Sequence, residues 1–236
     1  MKQSADQLTP FALVLVFIVA VEGLSLQEFV PLPLALLIGV IWAVLISLAA
    51  RWVSRRSVLS AWTEDGLVAL GCTAMALFAF GGAIGLMMLD TALDSSSITG
   101  ETMVTMFLPS IAIAIAANLP TELVIIPGLL ILGWRPGPRR LLFVTAAILY
   151  FVLRIWSYLV FVPDRLDFAE AEQSTTVLTG TEKTNFAEAL HVDDSRWILN
   201  LAIFAVLLLA AFFSRIGTTR HGEPLSAAAS PASPRS

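Results

Sequence analysis

MVTMFLPSIAIAIAANLPTELVIIPGLLILGW, residues 103–134, is a 32-residue apolar stretch that contains one charged side chain, Glu122. About 20 apolar residues are enough for a helix to cross the hydrocarbon of a bilayer, so this stretch is too long for a simple span. Asn118 and Pro120 precede the glutamate, and Pro127 follows it. An ionisable side chain beside a proline break is costly in hydrocarbon and is typical of a functional site. The stretch therefore predicts one long membrane helix that is broken between Asn118 and Glu122.

Apolar blocks of similar kind fill most of the chain. Hydrophobic residues make up 57% of the 236 residues and charged residues 14%, with a mean hydropathy of +0.84. A soluble domain is about one-quarter charged, so this composition is that of a membrane protein. The blocks are continuous and lack the alternation of membrane β-barrel strands, which favours helices. The sequence predicts an all-α, polytopic membrane bundle of six transmembrane helices at about 11–30, 34–53, 66–89, 103–134, 141–162 and 197–216.

Arginines orient the predicted spans. If every block crosses once, one side of the membrane receives the arginines of three segments: the loop between spans two and three, the loop between spans four and five, and the tail after span six. These arginines are Arg51, Arg55, Arg56, Arg135, Arg139, Arg140, Arg215 and Arg220. Acidic residues dominate the other side. Because positive loop charges mark the cytoplasmic side, we expect both termini inside and the protein in the plasma (inner) membrane. Splitting 103–134 into two crossings would move Arg139 and Arg140 outside, so a single crossing is favoured.

Two of the segments outside the predicted spans have a distinctive composition. The outer loop 163–196 holds eight acidic and three basic residues. Asp167 and Asn185 are each followed by a glutamate three residues later, a pattern that predicts two short capped helices in a lid over the outward mouth. Residues 217–236 are rich in serine, alanine and proline, and we expect a disordered cytoplasmic tail there.

Several chemistries are disfavoured by the residues that the chain lacks. Cys72 is the only cysteine, and His191 and His221 both lie outside the predicted spans. An intramembrane zinc protease or a bis-histidine haem needs ligands within the spans, so we expect neither a metal nor another cofactor. The sequence has no phosphate-binding glycine loop before a lysine and no basic domain outside the membrane that would bind nucleic acid. An enzyme is disfavoured because no nucleophile–base pair is visible.

Polar side chains gather within the predicted spans instead. Tyr150 and Tyr158 stand four residues before and after Arg154, which puts all three on one face of the fifth span. A guanidinium in hydrocarbon should be paired or line a wet cavity, and Glu22 and Glu122 are its natural partners. The candidate binding residues are seven of the polar side chains in the first, fourth and fifth spans: Arg154, Glu122, Asn118, Tyr150, Tyr158, Ser157 and Glu22.

Three interpretations of this set stay open. In one, Glu22 and Arg154 form a structural ion pair that fixes helix packing. In another, Arg154 anchors an anion in a polar pocket that opens outward. A third is proton transfer through Glu122. We predict that the protein binds or transports a small anionic or amphipathic solute. The alternative is a non-catalytic accessory or scaffold subunit whose partners are the bilayer and another membrane protein.

Gly81 and Gly85 form a GxxxG pair in the third predicted span. Small residues at this spacing let two helices approach closely. We expect the pair to pack within the bundle, and a homodimer contact is the alternative.

Overall fold

The computed structural model describes residues 2–27, 29–170 and 174–214, and its regular structure is helical. Two π-helical turns, π1 and π2, each join two α-helices end to end. In chain order the helices are α1 (Lys2–Leu26), α2 (Leu32–Ser54), α3 (Ser57–Asp94), α4 (Gly100–Pro120), π1 (Thr121–Ile125), α5 (Ile126–Leu132), α6 (Pro138–Trp156), π2 (Ser157–Phe161), α7 (Val162–Glu170), α8 (Gly180–Leu190) and α9 (Arg196–Ala211). The predicted tail at 217–236 lies outside the described residues, as do the last two positions of the sixth predicted span.

Five helical stretches are long and apolar enough to cross a membrane: Leu8–Leu26, Leu32–Ser54, Ser57–Asp94, Gly100–Leu132 and Pro138–Ala169. The sixth apolar helix, α9, has 16 residues, which corresponds to a length of about 24 Å. The prediction of an all-helical bundle is confirmed, and the five stretches indicate a multi-pass membrane protein. The break that the sequence places between Asn118 and Glu122 is the turn π1, through which the helix continues.

The short helix α5 lies at the centre of the bundle. All seven of its residues are buried, and it contacts α1, α2, α3 and α6. A helix surrounded by other helices needs no polar face, which explains why α5 is apolar on every side. Gly128 permits the close approach of α3, because a Cβ there would lie 2.7 Å from Leu67 Cδ1. Around this centre, α1 packs along α2, while α3 and α6 pack along α9.

Close helix packing occurs at glycines other than the predicted pair. A Cβ at Gly39 would lie 3.1 Å from Val19 Cα, so α2 touches the backbone of α1 at this point. A Cβ at Gly85 would meet no described atom within 4 Å, and one at Gly81 would meet only Leu77 of its own helix, at 3.9 Å. The predicted packing of Gly81 and Gly85 within the bundle is therefore wrong.

The acidic outer loop folds into a layer with its own core. α7 continues the helix of α6 and π2, and α8 packs against it. The buried apolar side chains of this layer meet the end of α3 and the start of α4 in one cluster: Leu89, Leu93, Ile98, Met103, Phe107, Phe168, Leu178 and Leu190. Lys183 Nζ donates to the Ser95 carbonyl oxygen at 2.6 Å, which ties α8 to the end of α3. The loop is thus a packed layer rather than a loose lid.

The helices of this outer layer begin at residues other than those predicted. Asp167 lies within α7 and Asn185 within α8. Thr179 caps α8, because its hydroxyl accepts from the Glu182 amide and the Glu182 carboxylate accepts from the Thr179 amide at 2.7 Å. The hydrogen bonds from the Thr179 amide and hydroxyl lower the pKa of the exposed Glu182 carboxyl. The predicted start at Asn185 is wrong. Two capping patterns lie close together here, Thr179 with Glu182 and Asn185 with Glu188, and only the first stands at the start of a helix.

The opposite end of the bundle is held by a buried charge cluster. Arg139 Nη1 lies 3.1 Å from Glu64 Oε1, and Arg139 Nη2 donates to Asp65. The Ser214 hydroxyl donates to the other Asp65 oxygen at 2.8 Å. These contacts join the starts of α3 and α6 to the end of α9. Arg139, which the sequence presents as a loop charge, is buried in the folded chain.

Candidate binding site

Proline placement shapes the broken segment. Pro127 has no N–H, so the Leu123 carbonyl, four residues earlier, loses its helical donor. The indole Nε1 of Trp42 in α2 donates to that carbonyl at 3.0 Å. Within π1, the Ile126 amide donates to the Thr121 carbonyl, and the Thr121 hydroxyl donates to the Ala117 carbonyl at 2.7 Å. The bulge is therefore stabilised by a neighbouring helix and by its own first side chain.

A second π turn of the same kind lies in the neighbouring helix. In π2 the Val162 amide donates to the Ser157 carbonyl, and the Ser157 hydroxyl donates to the Leu153 carbonyl at 2.8 Å. The sequences at 121–127 and 157–163, TELVIIP and SYLVFVP, share the pattern Thr/Ser-x-Leu-Val-x-x-Pro. Most members are ordinary apolar residues, so the repeat stands out only once both turns are known. π-bulges interrupt helices most often at functional sites.

The two π turns bring five of the predicted residues into contact, and we call Asn118, Glu122, Tyr150, Arg154 and Tyr158 the Glu122 cluster. Glu122 is 3% exposed, and its Oε1 lies 2.5 Å from Arg154 Nε. The Tyr158 hydroxyl donates to Glu122 Oε2 at 3.1 Å. The Tyr150 hydroxyl lies 3.2 Å from Glu122 Oε1 and 3.0 Å from Asn118 Oδ1, so its single proton is shared between two acceptors. Both tyrosines therefore direct their donors at the glutamate.

Arg154 is a buried guanidinium that lies against Glu122 and Tyr158. The residue is 8% exposed, and its guanidinium carbon lies 4.3 Å from the centroid of the Tyr158 ring. A guanidinium has five N–H donors. Among the described residues, Glu122 is the only carboxylate within ion-pair distance of Arg154, and it is engaged through Nε. A single carboxylate cannot engage all five donors, so part of this donor set could serve a further anionic or polar partner.

Glu22 is not the partner of Arg154. It is 7% exposed and lies close enough for its charge to act on both Glu122 and Arg154. No ion pair joins it to Arg154 within the described part of the chain, so the predicted Glu22–Arg154 pair is wrong. The reason is tertiary, because the π1 bulge directs Glu122 at α6, whereas Glu22 packs beside Gly39 at the α1–α2 contact.

Ser157 belongs to a second polar group that the sequence analysis does not identify. Its hydroxyl accepts from Arg196 Nη1 at 2.9 Å, and the Arg196 guanidinium stacks on Phe161 with its carbon 3.4 Å from the ring centroid. Asp194 Oδ2 lies 2.6 Å from Arg196 Nε and 3.6 Å from Arg165 Nη2. One carboxylate thus serves two arginines beside Ser157, at the α9 side of the Glu122 cluster. The contacts of Arg196 with Ser157 and of Arg165 with Asp194 join side chains 39 and 29 residues apart, so local spacing gives no sign of them.

A groove of about 510 Å³ lies elsewhere, between α3 and α4. Its lining is apolar except for one threonine: Ile84, Met87, Met88, Thr91, Ala92 and Met106. It contains none of the predicted site residues. The Glu122 cluster itself is closely packed, and the outward-opening pocket predicted for it stays a prediction.

Comparisons of the chain with protein-family models, with curated proteins and with solved structures give no match. Any function must therefore be argued from the residues of the molecule itself.

Proposed function

We propose that the chain crosses the plasma (inner) membrane six times, with both termini in the cytoplasm. Contacts at the two ends of the bundle support alternating helix directions: Arg139 with Asp65 at one end, and Arg196 with Ser157 at the other. Helices that alternate in this way each cross once, with α9 as the sixth. The first end also carries most of the other arginines, which marks it as cytoplasmic: Arg51, Arg55, Arg56, Arg135 and Arg140.

We further propose that the Glu122 cluster is the binding site for a small anionic or amphipathic solute. The protein binds this solute, or transports it, from the outer side. The observation that carries this proposal is Arg154, a buried guanidinium whose only carboxylate partner among the described residues is Glu122. Buried arginines in membrane spans are costly and mark solute or ion pathways. Phe17 packs beside the cluster with its ring centroid 6.3 Å from that of Tyr150, which supports an amphipathic solute because an apolar group adjoins the charged one.

Thermal unfolding of the purified full chain in lipid nanodiscs tests this function. We suggest chloride, inorganic phosphate and benzenesulfonate as probes, with gluconate as the reference anion. At a hundredfold excess over Kd, a bound anion stabilises the folded state by about 2.7 kcal/mol, which raises Tm by roughly 5 °C or more in a chain of this size. We expect Arg154→Gln to lose this rise.

Arg55→Gln is the matched control, because Arg55 is exposed at the end of α2 and remote from the cluster. It should respond to anions as the original chain does. Should Arg154→Gln fail to fold, Arg154→Lys keeps the charge but loses the planar fork, and we expect a weaker anion response. A folded Arg154→Gln protein with an undiminished Tm rise would overturn the proposal.

A non-catalytic scaffold subunit is the second candidate, and one observation favours it. A Cβ at Gly81 or Gly85 would meet no other described helix within 4 Å, as would be expected of small residues that receive a partner helix. Purification in a mild detergent distinguishes the two functions. A stoichiometric partner supports the scaffold, whereas a monodisperse protein with an anion response supports solute binding.

A further inference from the structure

The Glu122–Arg154 pair limits how an anion can bind, if the proposed function holds. Arg154 Nε already lies 2.5 Å from a Glu122 oxygen, and both residues are more than nine-tenths buried. The second Glu122 oxygen accepts from Tyr158. A solute anion that takes the strongest position on this guanidinium must therefore compete with Glu122.

The other cation near the cluster, within the described part of the chain, is Arg196, and Asp194 and Ser157 already hold it. Among the described residues, Arg139 is paired with Glu64 and Asp65, while Arg165 and Arg196 share Asp194. A carboxylate released from its only cation in a buried site pays the full desolvation penalty. A protonated carboxyl has no such penalty.

The titratable groups around Glu122 come from three elements. α1 contributes Glu22, whose negative charge repels a displaced carboxylate. α6 and π2 contribute Tyr150, Arg154 and Tyr158. Of the other elements packed against π1, α2 makes contact through Trp42, which does not titrate, and α3 brings Cys72 into the same core. A second carboxylate beside the site favours uptake of a proton over a free negative charge.

We propose that an anion binds Arg154 together with one proton, which Glu122 takes up. Before binding, the site holds one guanidinium and one carboxylate. Afterwards it holds the guanidinium, the solute anion and a neutral Glu122 carboxyl. The carboxylate gains a proton, the Glu122–Arg154 ion pair breaks and the solute–Arg154 pair forms. Because one proton enters with each anion, the net charge of the buried site is the same in both states, and transport through it is proton–anion symport.

Binding isotherms at several pH values test the proton link on the purified full chain in nanodiscs. Chloride and benzenesulfonate are suitable probes because neither titrates between pH 5 and 8, so any pH dependence belongs to the protein. We expect the apparent Kd of the original chain to rise towards tenfold per pH unit over the alkaline part of this range, as one-to-one linkage requires. Glu122→Gln, which mimics the protonated carboxyl, should bind at least tenfold more tightly at pH 8 and lose the pH dependence.

Glu101→Gln is the control, because Glu101 is exposed in the first turn of α4 and lies about 30 Å along the helix from Glu122, so this variant should keep the pH dependence. A pH-independent Kd in the original chain, abolished by Arg154→Gln, would overturn the proton link while leaving the solute-binding proposal standing. Failure of the original chain and of a folded Glu122→Gln to bind either probe at any pH would overturn both. If Glu122→Gln does not fold, the pH dependence of the original chain decides alone.

Discussion

Replacing Glu122 and Arg154 singly and together measures how strongly the two buried charges depend on each other. Nε and Oε1 lie 2.5 Å apart, and the two residues are 8% and 3% exposed. Removing one member of a buried pair leaves the other charge unpaired, which costs about 3–5 kcal/mol. We therefore expect Glu122→Gln and Arg154→Gln each to lower the free energy of unfolding by that amount.

The double variant should be less damaged than the sum of the two singles. A glutamine at position 122 keeps one oxygen for the Tyr158 hydroxyl, and the Tyr150 hydroxyl can donate to Asn118 Oδ1, so the loss is confined to the ion pair. Without a stranded charge, Glu122→Gln/Arg154→Gln should cost no more than either single variant, and the coupling energy should be about 3 kcal/mol or more.

Reversible unfolding in mixed micelles, followed by tryptophan fluorescence, gives the four free energies of this cycle. Gluconate should be the only buffer anion, because chloride could replace the missing carboxylate in Glu122→Gln. Agreement between the double variant and the sum of the singles, within about 0.5 kcal/mol, would refute the reasoning, since independent sites add in this way.

Two further predictions concern the packing around the cluster. Trp42→Phe removes the donor to the Leu123 carbonyl and should lower the unfolding free energy by about 1 kcal/mol. Pro127→Ala restores a backbone donor to that carbonyl. Trp42→Phe should therefore cost measurably less in a protein that already has Pro127→Ala. Gly39→Ala forces a Cβ against the backbone of α1 and should destabilise the fold by about 1–3 kcal/mol relative to Gly85→Ala, whose Cβ meets open space. Equal thermal stabilities of these two glycine variants would contradict the close packing at Gly39.

Much of the fold follows from hydropathy because the bilayer imposes a local rule. A run of about 20 apolar residues must satisfy its own backbone hydrogen bonds, so each long run is a helix wherever its neighbours lie. The boundaries are less predictable. α3 extends to 38 residues, and α7 prolongs the fifth predicted span, because helices continue into an outer layer whose polar composition resembles a loop.

The candidate site is predictable in composition and unpredictable in pairing. Arg154, Tyr150 and Tyr158 share a helix face by spacing alone, and Asn118 and Glu122 mark the break in the facing segment. Whether Arg154 meets Glu22 or Glu122 depends on helix rotation and separation, which no local pattern contains. The same holds for Asp194, which serves two arginines from different helices.

In the apolar stretch at 103–134, local properties of the residues can be separated from properties that depend on the neighbouring helices. Its sequence by itself determines a long membrane helix with a single costly carboxylate near a proline break, because hydrophobic transfer and missing N–H donors are properties of the residues concerned. Only the tertiary structure decides that the break is a π bulge capped by Trp42, that α5 is central, and that Glu122 faces Arg154. Those outcomes depend on which helices surround the segment, and the energy of a buried charge is set by the neighbours that it meets.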